Sequence, residues 1–260
     1  MTDQAAPITG RLHSYETLGT LDGPGLRLVV FLQGCPLRCL YCHNPDTWDL
    51  VGGRPITVAE IIAKAQRMRP YFGTTGGVTL SGGEPLAQPH FTLALLQALK
   101  REGIHTVLDT SGTAIFTASE RAQDQDSATI QAILDATDLV LLDIKAPTAT
   151  GFQALTGRSI AGLEQFIELA HANGQAIWIR QVIVPGMNDN QSDLKALRDF
   201  LQRFPRLQIG KIELLPYHTL GVSKYKQLGI PYPLAEIGAL PAEKLAELQQ
   251  EVDSWSMTVK

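Results

Sequence analysis

The sequence predicts an α/β protein on a parallel sheet, an incomplete (β/α)6 TIM-like barrel, and three observations predict it. Strand-like and helix-like segments alternate along the chain. Several strand-like segments are near-continuous apolar runs, as in Asp138-Leu-Val-Leu-Leu-Asp-Ile144, which suits strands covered on both faces. Polar residues gather toward the C-terminal ends of these strands, where barrel and open α/β enzymes place their sites. Strict alternation implies right-handed βαβ units, and six of them fall short of the eight that close a full barrel. A doubly wound sheet is the competing architecture.

In chain order, strands are expected at Leu26–Leu32, Gly77–Leu80, Ile104–Asp109, Asp138–Ile144, Ala176–Val184 and Lys211–Leu215. Each is rich in β-branched and apolar residues. Helices are expected near Thr57–Arg69, Phe91–Glu102, Ala128–Ala136, Gly162–Ala172, Gln191–Gln202 and Pro241–Ser254. Thr57 opens the first helix as an N-cap, and Glu60 three residues on completes a capping box. Gly103 and Gly174 stand where a helix should stop before the next strand. The polar stretch Thr117–Ser127 reads as a surface insertion ahead of a helix. With no repeat, low-complexity segment or linker, residues 1–260 are expected to form one domain.

The formal charge is -4 with scattered Lys and Arg, which argues against nucleic acid as a partner because phosphate binding needs a clustered basic surface. No apolar run reaches the ~18 residues that suggest a membrane span. Met1–Gly10 carries Asp3 and no basic cluster before an apolar stretch, so no secretory signal is read there. The expected location is the cytoplasm. All 3 cysteines fall within Cys35–Cys42, an odd number in one loop, which fits a metal or redox role in a reducing compartment better than a disulfide framework.

These cysteines stand in Gly34-Cys35-Pro-Leu-Arg-Cys39-Leu-Tyr-Cys42-His43-Asn44-Pro45, directly after the first predicted strand, with the spacing C-x3-C-x2-C. Three thiolates in one tight loop can hold three irons of a cubane and leave the fourth open to substrate. A zinc knuckle completed by His43 or a distant histidine is a second reading. Structural zinc usually draws on two separated ligand pairs, and no second cysteine pair exists here. Three inert buried thiols are a third, poorly suited to so polar a loop.

Ser81-Gly82-Gly83-Glu84-Pro85 follows the second predicted strand. Its glycines let the backbone approach a ligand closely, and Glu84 can accept hydrogen bonds from an ammonium group. On its own the same string is also a plain turn. Further polar residues sit at strand ends. Asp109 ends the third, Asp143 and Lys145 share a face at the end of the fourth, Arg180 lies in the fifth, and His218 follows the sixth. Singly, Lys145 reads as an ion-pair partner of Asp143, Asp109 as a turn cap and His218 as an exposed loop residue. Arg180 shares a face with Trp178 and Val182, where a charge is costly without an acidic partner or a ligand. No residue is assigned as general acid, base or nucleophile.

The cysteine motif, with the aromatic Tyr41 before its last cysteine, resembles the signature of the radical S-adenosylmethionine (SAM) superfamily. The likeness extends through Gly10-Arg-Leu-His-Ser-Tyr-Glu16, Asp22-Gly-Pro-Gly25, Asp46-Thr-Trp48, Glu102-Gly-Ile-His-Thr106, Trp178-Ile-Arg180, Val184-Pro-Gly186 and Lys211-Ile-Glu-Leu-Leu-Pro-Tyr-His218. Over about Gly10–Gly229 the chain is similar to the pyruvate formate-lyase activating enzymes, which are glycyl radical enzyme activases. The resemblance implies a [4Fe–4S] cluster on Cys35, Cys39 and Cys42, reductive cleavage of SAM, and hydrogen abstraction from a glycine Cα of pyruvate formate-lyase. It implies a SAM site at Tyr41, His43, Gly82, Gly83, Glu84, Asp143, Lys145 and His218, and a monovalent cation at Asp109 and Asp143. Asp22, Gly23 and Arg180 would contact the glycine-bearing peptide. With no cysteine left for a second cluster, flavodoxin or ferredoxin would supply the electron.

The implied setting is anaerobic glucose metabolism. A monomer that forms a transient complex is expected, since the partner's glycine must enter and leave. Another glycyl radical enzyme is the alternative partner, and a zinc-binding interaction domain the non-enzymatic alternative. Thr117–Ser127 and the segment after Leu228 depart from the family pattern.

Overall fold

The computed structural model describes residues 8–113 and 120–257, with the backbone alone for 120–125. Its strands are β1 (Thr9–Gly19), β2 (Arg27–Leu32), β3 (Arg54–Thr57), β4 (Gly77–Gly82), β5 (His105–Thr110), β6 (Leu139–Asp143), β7 (Ala176–Ile183) and β8 (Gln208–Pro216). Its helices are α1 (Val58–Phe72), α2 (Pro89–Arg101), α3 (Glu120–Asp135), α4 (Ala149–Thr156), α5 (Ala161–Asn173), α6 (Gln191–Gln202), α7 (Val222–Leu228) and α8 (Ala242–Asp253).

All eight strands belong to one sheet in the order β3-β1-β2-β4-β5-β6-β7-β8. From β2 to β8 every pairing is parallel, so the six predicted strands form the predicted parallel unit. Their spatial order follows chain order without reversal. Right-handed crossovers then place every connecting helix on the same side, which curls the sheet as in a barrel and excludes the doubly wound alternative. β3 and β8 stay at the two ends, so the barrel is open.

β1 and β3 are additions that the alternation of strands and helices does not anticipate. β1 runs antiparallel to β2, and β3 antiparallel to β1. β1 escapes notice because most of its residues are half-buried or exposed and its register slips twice, which blurs any period of two. α3 corrects a second expectation. Residues 120–127, read from sequence as insertion, are its first two turns, while residues 117–119 lie outside the described residues. Glu, Arg, Ala and Gln are good helix formers, and polarity alone is no sign of a loop.

Leu28, Val30 and Leu32 of β2 pack in the main core with Leu80, Leu108, Leu142 and Ile179 of the neighbouring strands. The alternate residues face the barrel interior, where Val107, Leu139 and Leu141 form a separate apolar cluster with Trp178. Thr57 caps α1 and Glu60 returns the bond, completing the predicted box. Gly174 ends α5 in the left-handed conformation. Among the described residues no helix is long and apolar enough to cross a membrane.

Candidate active site

β2 delivers the chain to the cysteine loop, and the loop is held from several sides. Gly34 N donates to Thr47 O at 2.9 Å, and the Gln33 side chain donates to the carbonyls of Asp46 and Asp49 at 3.1 and 2.9 Å. α4, which the sequence reading missed, supplies its final carbonyls: Arg38 N donates to Thr156 O and Leu40 N to Leu155 O, at 2.9 and 3.0 Å. These are helix-end acceptors that would otherwise lack partners. The cysteine loop and the C-terminus of α4 therefore complete each other.

Cys35, Cys39 and Cys42 all line one cavity of about 480 Å³ at the C-terminal ends of the parallel strands. Burial pushes all three thiols above the ordinary cysteine range, Cys39 to about 12. Tyr41 and His43, from the same loop, line the cavity too. The Tyr41 side chain is buried, and its hydroxyl has no hydrogen-bond partner. His43 stacks on His218 with ring centroids 4.0 Å apart and planes 17° from parallel. His43 Nε2 donates to the His218 carbonyl at 3.1 Å, which fixes the tautomer and leaves Nδ1 as the free base. Burial and then His218 lower the His43 pKa.

Gly82 and Gly83 form the adjoining wall. A Cβ on Gly83 would stand 2.3 Å from Gly34 O and 3.2 Å from Cys35 Cβ, so only glycine lets this strand end pass the cysteine loop. Glu84 lines the cavity but is 1 % exposed, and the protein already fills its carboxylate. Thr110 Oγ1 and Leu86 N donate to Oε1 at 2.6 and 3.0 Å, while Ser111 Oγ and N donate to Oε2 at 2.5 and 2.9 Å. Burial raises its pKa against the pull of these four donors. Glu84 thus ties the turn after β4 to the turn after β5.

Asp109, Asp143, Lys145 and His218 complete the lining. Asp109 accepts from Ser81 Oγ at 2.6 Å, and burial lifts its pKa to about 6, with Arg180 opposing. Lys145 Nζ donates to Asp143 Oδ2 at 2.6 Å and sits 5.7 Å from the centre of the Tyr41 ring. Burial, the largest single influence, would lower the Lys145 pKa, but Asp143, Tyr41 and Cys39 together hold the ammonium well above its usual range. Asp143 Oδ1 is buried with no partner.

Asp22, Gly23 and Arg180 sit beside this cavity; none of the three lines it. They meet it through Leu21, whose side chain is 81 % exposed and whose carbonyl accepts from Arg180 Nη2. Arg180 Nε lies 3.5 Å from Glu213 Oε2, the acidic partner its buried charge demands, although without hydrogen-bond geometry. Burial raises the Asp22 pKa, and Arg180 opposes the shift. Glu213, Ser81, Thr110, Ser111 and α4 are contributors that the sequence reading did not single out, because each acts through a partner distant in the chain.

A larger hollow of about 590 Å³ lies between β8 and α8. Its charged groups are already engaged, Lys211 with Glu213 and Asp253 with Gln249, so nothing converges on it. Among the described residues no three His, Cys, Asp or Glu side chains are placed to hold a single metal ion. The donor set instead suits a cluster: three thiols line one cavity, and so do Tyr41 and Asp143, each of which keeps a buried polar atom unsatisfied.

The radical SAM superfamily matches residues 29–201, from β2 to α6. The pyruvate formate-lyase-activating enzyme of Clostridium pasteurianum is 43% identical over 244 residues, covering 94% of this chain and 97% of that one. The chain belongs to the pyruvate formate-lyase-activating enzyme family. A second such relative, from Staphylococcus aureus, is 44% identical over 235 residues, covering 89% of this chain and 90% of that one. A solved domain of the activating enzyme from Bacteroides vulgatus shares the fold at a TM-score of 0.53 and 24% identity, covering 71% of this chain and 98% of that one. Membership in this activating enzyme family makes the chain a radical SAM enzyme, and its family cofactors are a [4Fe–4S] cluster and SAM.

Proposed function

We propose that this chain activates pyruvate formate-lyase by one-electron reductive cleavage of SAM and removal of a hydrogen atom from one glycine Cα of that enzyme. The observation that carries the reading is the convergence of three cysteines and the strand-end polar residues on one cavity that keeps two buried polar atoms, Tyr41 Oη and Asp143 Oδ1, without partners. Cys35, Cys39 and Cys42 would hold the [4Fe–4S] cluster as thiolates. When bound, the cluster and SAM together supply the radical chemistry, and the protein supplies orientation and exclusion of water.

Tyr41, His43, Gly82, Gly83, Asp143, Lys145 and His218 would form the SAM site. Lys145 presents a fixed positive charge, Asp143 an unpartnered oxygen, and the glycines a strand end without side chains, packed close to the cysteine loop. Glu84, with its oxygens filled, would serve that site by holding the Gly82–Gly83 backbone in place. Asp109 and Asp143 would share a monovalent cation. Asp22, Gly23 and Arg180 would receive the glycine-bearing peptide beside the cavity. A low-potential donor of the flavodoxin or ferredoxin type would deliver the electron, and the chain would work as one domain and as a monomer.

The test is anaerobic reconstitution with iron and sulfide, reduction, and addition of SAM and pyruvate formate-lyase. A glycyl radical signal on the lyase, formed together with 5′-deoxyadenosine, is expected. Cys39→Ala should abolish both. SAM cleavage that survives in Cys39→Ala sinks the cluster assignment. Cleavage without a radical on the lyase redirects the search to another glycyl radical enzyme.

A further inference from the structure

In the sheet, β2 and β8 are separated by β4, β5, β6 and β7. Even so, the segment after β8 touches the loop after β2. His218 stacks on His43, and Tyr225 of α7 meets Trp48 edge-on with ring centroids 5.8 Å apart. The approach is close enough to require glycine. A Cβ on Gly221 would lie 2.8 Å from His43 Cα and 3.3 Å from Cys42 O. Two side chains make polar contacts across this seam: His43 Nε2 donates to the His218 carbonyl at 3.1 Å, and Lys224 Nζ donates to Asn44 Oδ1 at 2.8 Å and to Asp46 Oδ1 at 3.0 Å. Asp46 is steadied in turn by His13 of β1, whose Nε2 lies 3.0 Å from Asp46 Oδ2.

We propose that Tyr217–Leu228 is a strap that bridges the rim of the open barrel, and that Lys224 is its positioning residue. By gripping Asn44 and Asp46, Lys224 sets where His218 lies against the cysteine loop. The strap replaces strand pairing, which the open edge at β8 cannot provide across the gap. Lys224 is about one-third exposed, so its ion pair adds little to global stability. Its effect is local: the strap carries His218 into the cavity lining, where the His43–His218 hydrogen bond also ties it to the loop. The proposal rests on the reading of His43 and His218 as part of the SAM site.

The test uses the full chain, reconstituted with its cluster. Lys224→Met should keep its iron content and melt within a few degrees of the parent. Amide hydrogen exchange over residues 219–228 should quicken, and SAM should bind about fivefold more weakly by calorimetry. Lys224→Arg should recover most of the loss, and Gly221→Ala should weaken SAM binding by pushing the strap outward. Lys100→Met, which breaks an ion pair to Asp138 away from the seam, should leave SAM binding unchanged. Parental SAM affinity in Lys224→Met overturns the proposal. So does weaker binding with unchanged strap exchange, because Lys224 would then act through charge and not through position. If His218→Ala binds SAM as the parent does, the reading of the site fails instead, and the exchange rates alone decide whether Lys224 holds the strap.

Discussion

At the N-terminal end of the parallel strands a buried arginine is fully satisfied, while toward the C-terminal end several buried polar atoms are not. Arg27, 0% exposed, donates through Nε to Thr79 Oγ1 at 2.6 Å, through Nη1 to Pro24 O at 2.9 Å, and through Nη2 to Val78 O at 2.9 Å and His105 O at 3.2 Å. Thr79 Oγ1 passes the chain of bonds on to Asp22 O at 2.7 Å. The Asp22–Gly25 loop is thus fastened from below by Arg27 and at Leu21 by Arg180. At the other end Tyr41 Oη, Asp143 Oδ1 and Arg180 Nε find no hydrogen-bond partner. An unpaired polar atom in a protein interior is costly, and Tyr41 and Asp143, which keep one each, both line the cavity. The contrast separates residues that hold the fold from residues that await a ligand.

The largest expected effect lies at the satisfied end. Arg27→Met strands the acceptors at Thr79, Pro24, Val78 and His105 and should cost about 3 kcal/mol or more of stability. Urea unfolding of the cluster-free protein measures it, and a cost below about 1 kcal/mol would break the comparison. Burial makes the charge of Arg27 expensive, as its pKa of about 10 indicates, so methionine recovers part of the loss through desolvation.

Asp109 offers an intermediate effect with a defined sign. Its folded pKa of about 6 stands above the ordinary 3.8, so the folded chain holds this proton more tightly than the unfolded chain. Its contribution therefore favours folding most below about pH 4, falls as pH rises toward about 6, and is level beyond. Asp109→Asn should flatten that part of the stability profile in cluster-free protein. Urea midpoints taken across the same interval check this, and an unchanged slope would count against it.

The smallest change in stability is expected at Tyr41. Since its hydroxyl has no partner, Tyr41→Phe should shift stability by no more than about 0.5 kcal/mol, in either direction. SAM affinity of the reconstituted protein should fall all the same. A large loss of stability with unchanged SAM affinity would place Tyr41 with Arg27 among the residues that hold the fold.

Much of the site was legible along the chain because its parts are local. The three cysteines share one loop, Gly82–Glu84 is contiguous, and Asp143 and Lys145 lie two residues apart on one strand. Their partners were not legible. Glu84 reads in sequence as a free carboxylate, and it is Thr110 and Ser111, after another strand, that fill it. Arg27 sits in the sequence like any charge at a strand entrance, and its role depends on Thr79 and His105. Short α4 and α7 carry too little periodicity to be read, and each is stabilised largely by what it packs against.

The amino-acid sequence by itself determined the parallel α/β frame, its open six-stranded extent and the gathering of three cysteines in one loop. Each of these rests on spacing within a few residues: apolar runs, helix caps and the C-x3-C-x2-C interval. The tertiary structure alone decided the antiparallel β1–β3 extension, the filling of Glu84, the burial of Arg27 and the seam between α7 and the cysteine loop. These depend on which distant segments become neighbours once the sheet curls, and no local pattern records such contacts. Curling brings Lys224 to Asp46 and Arg180 to Leu21, and in doing so it sorts the buried polar groups into those already satisfied and those left open to a ligand.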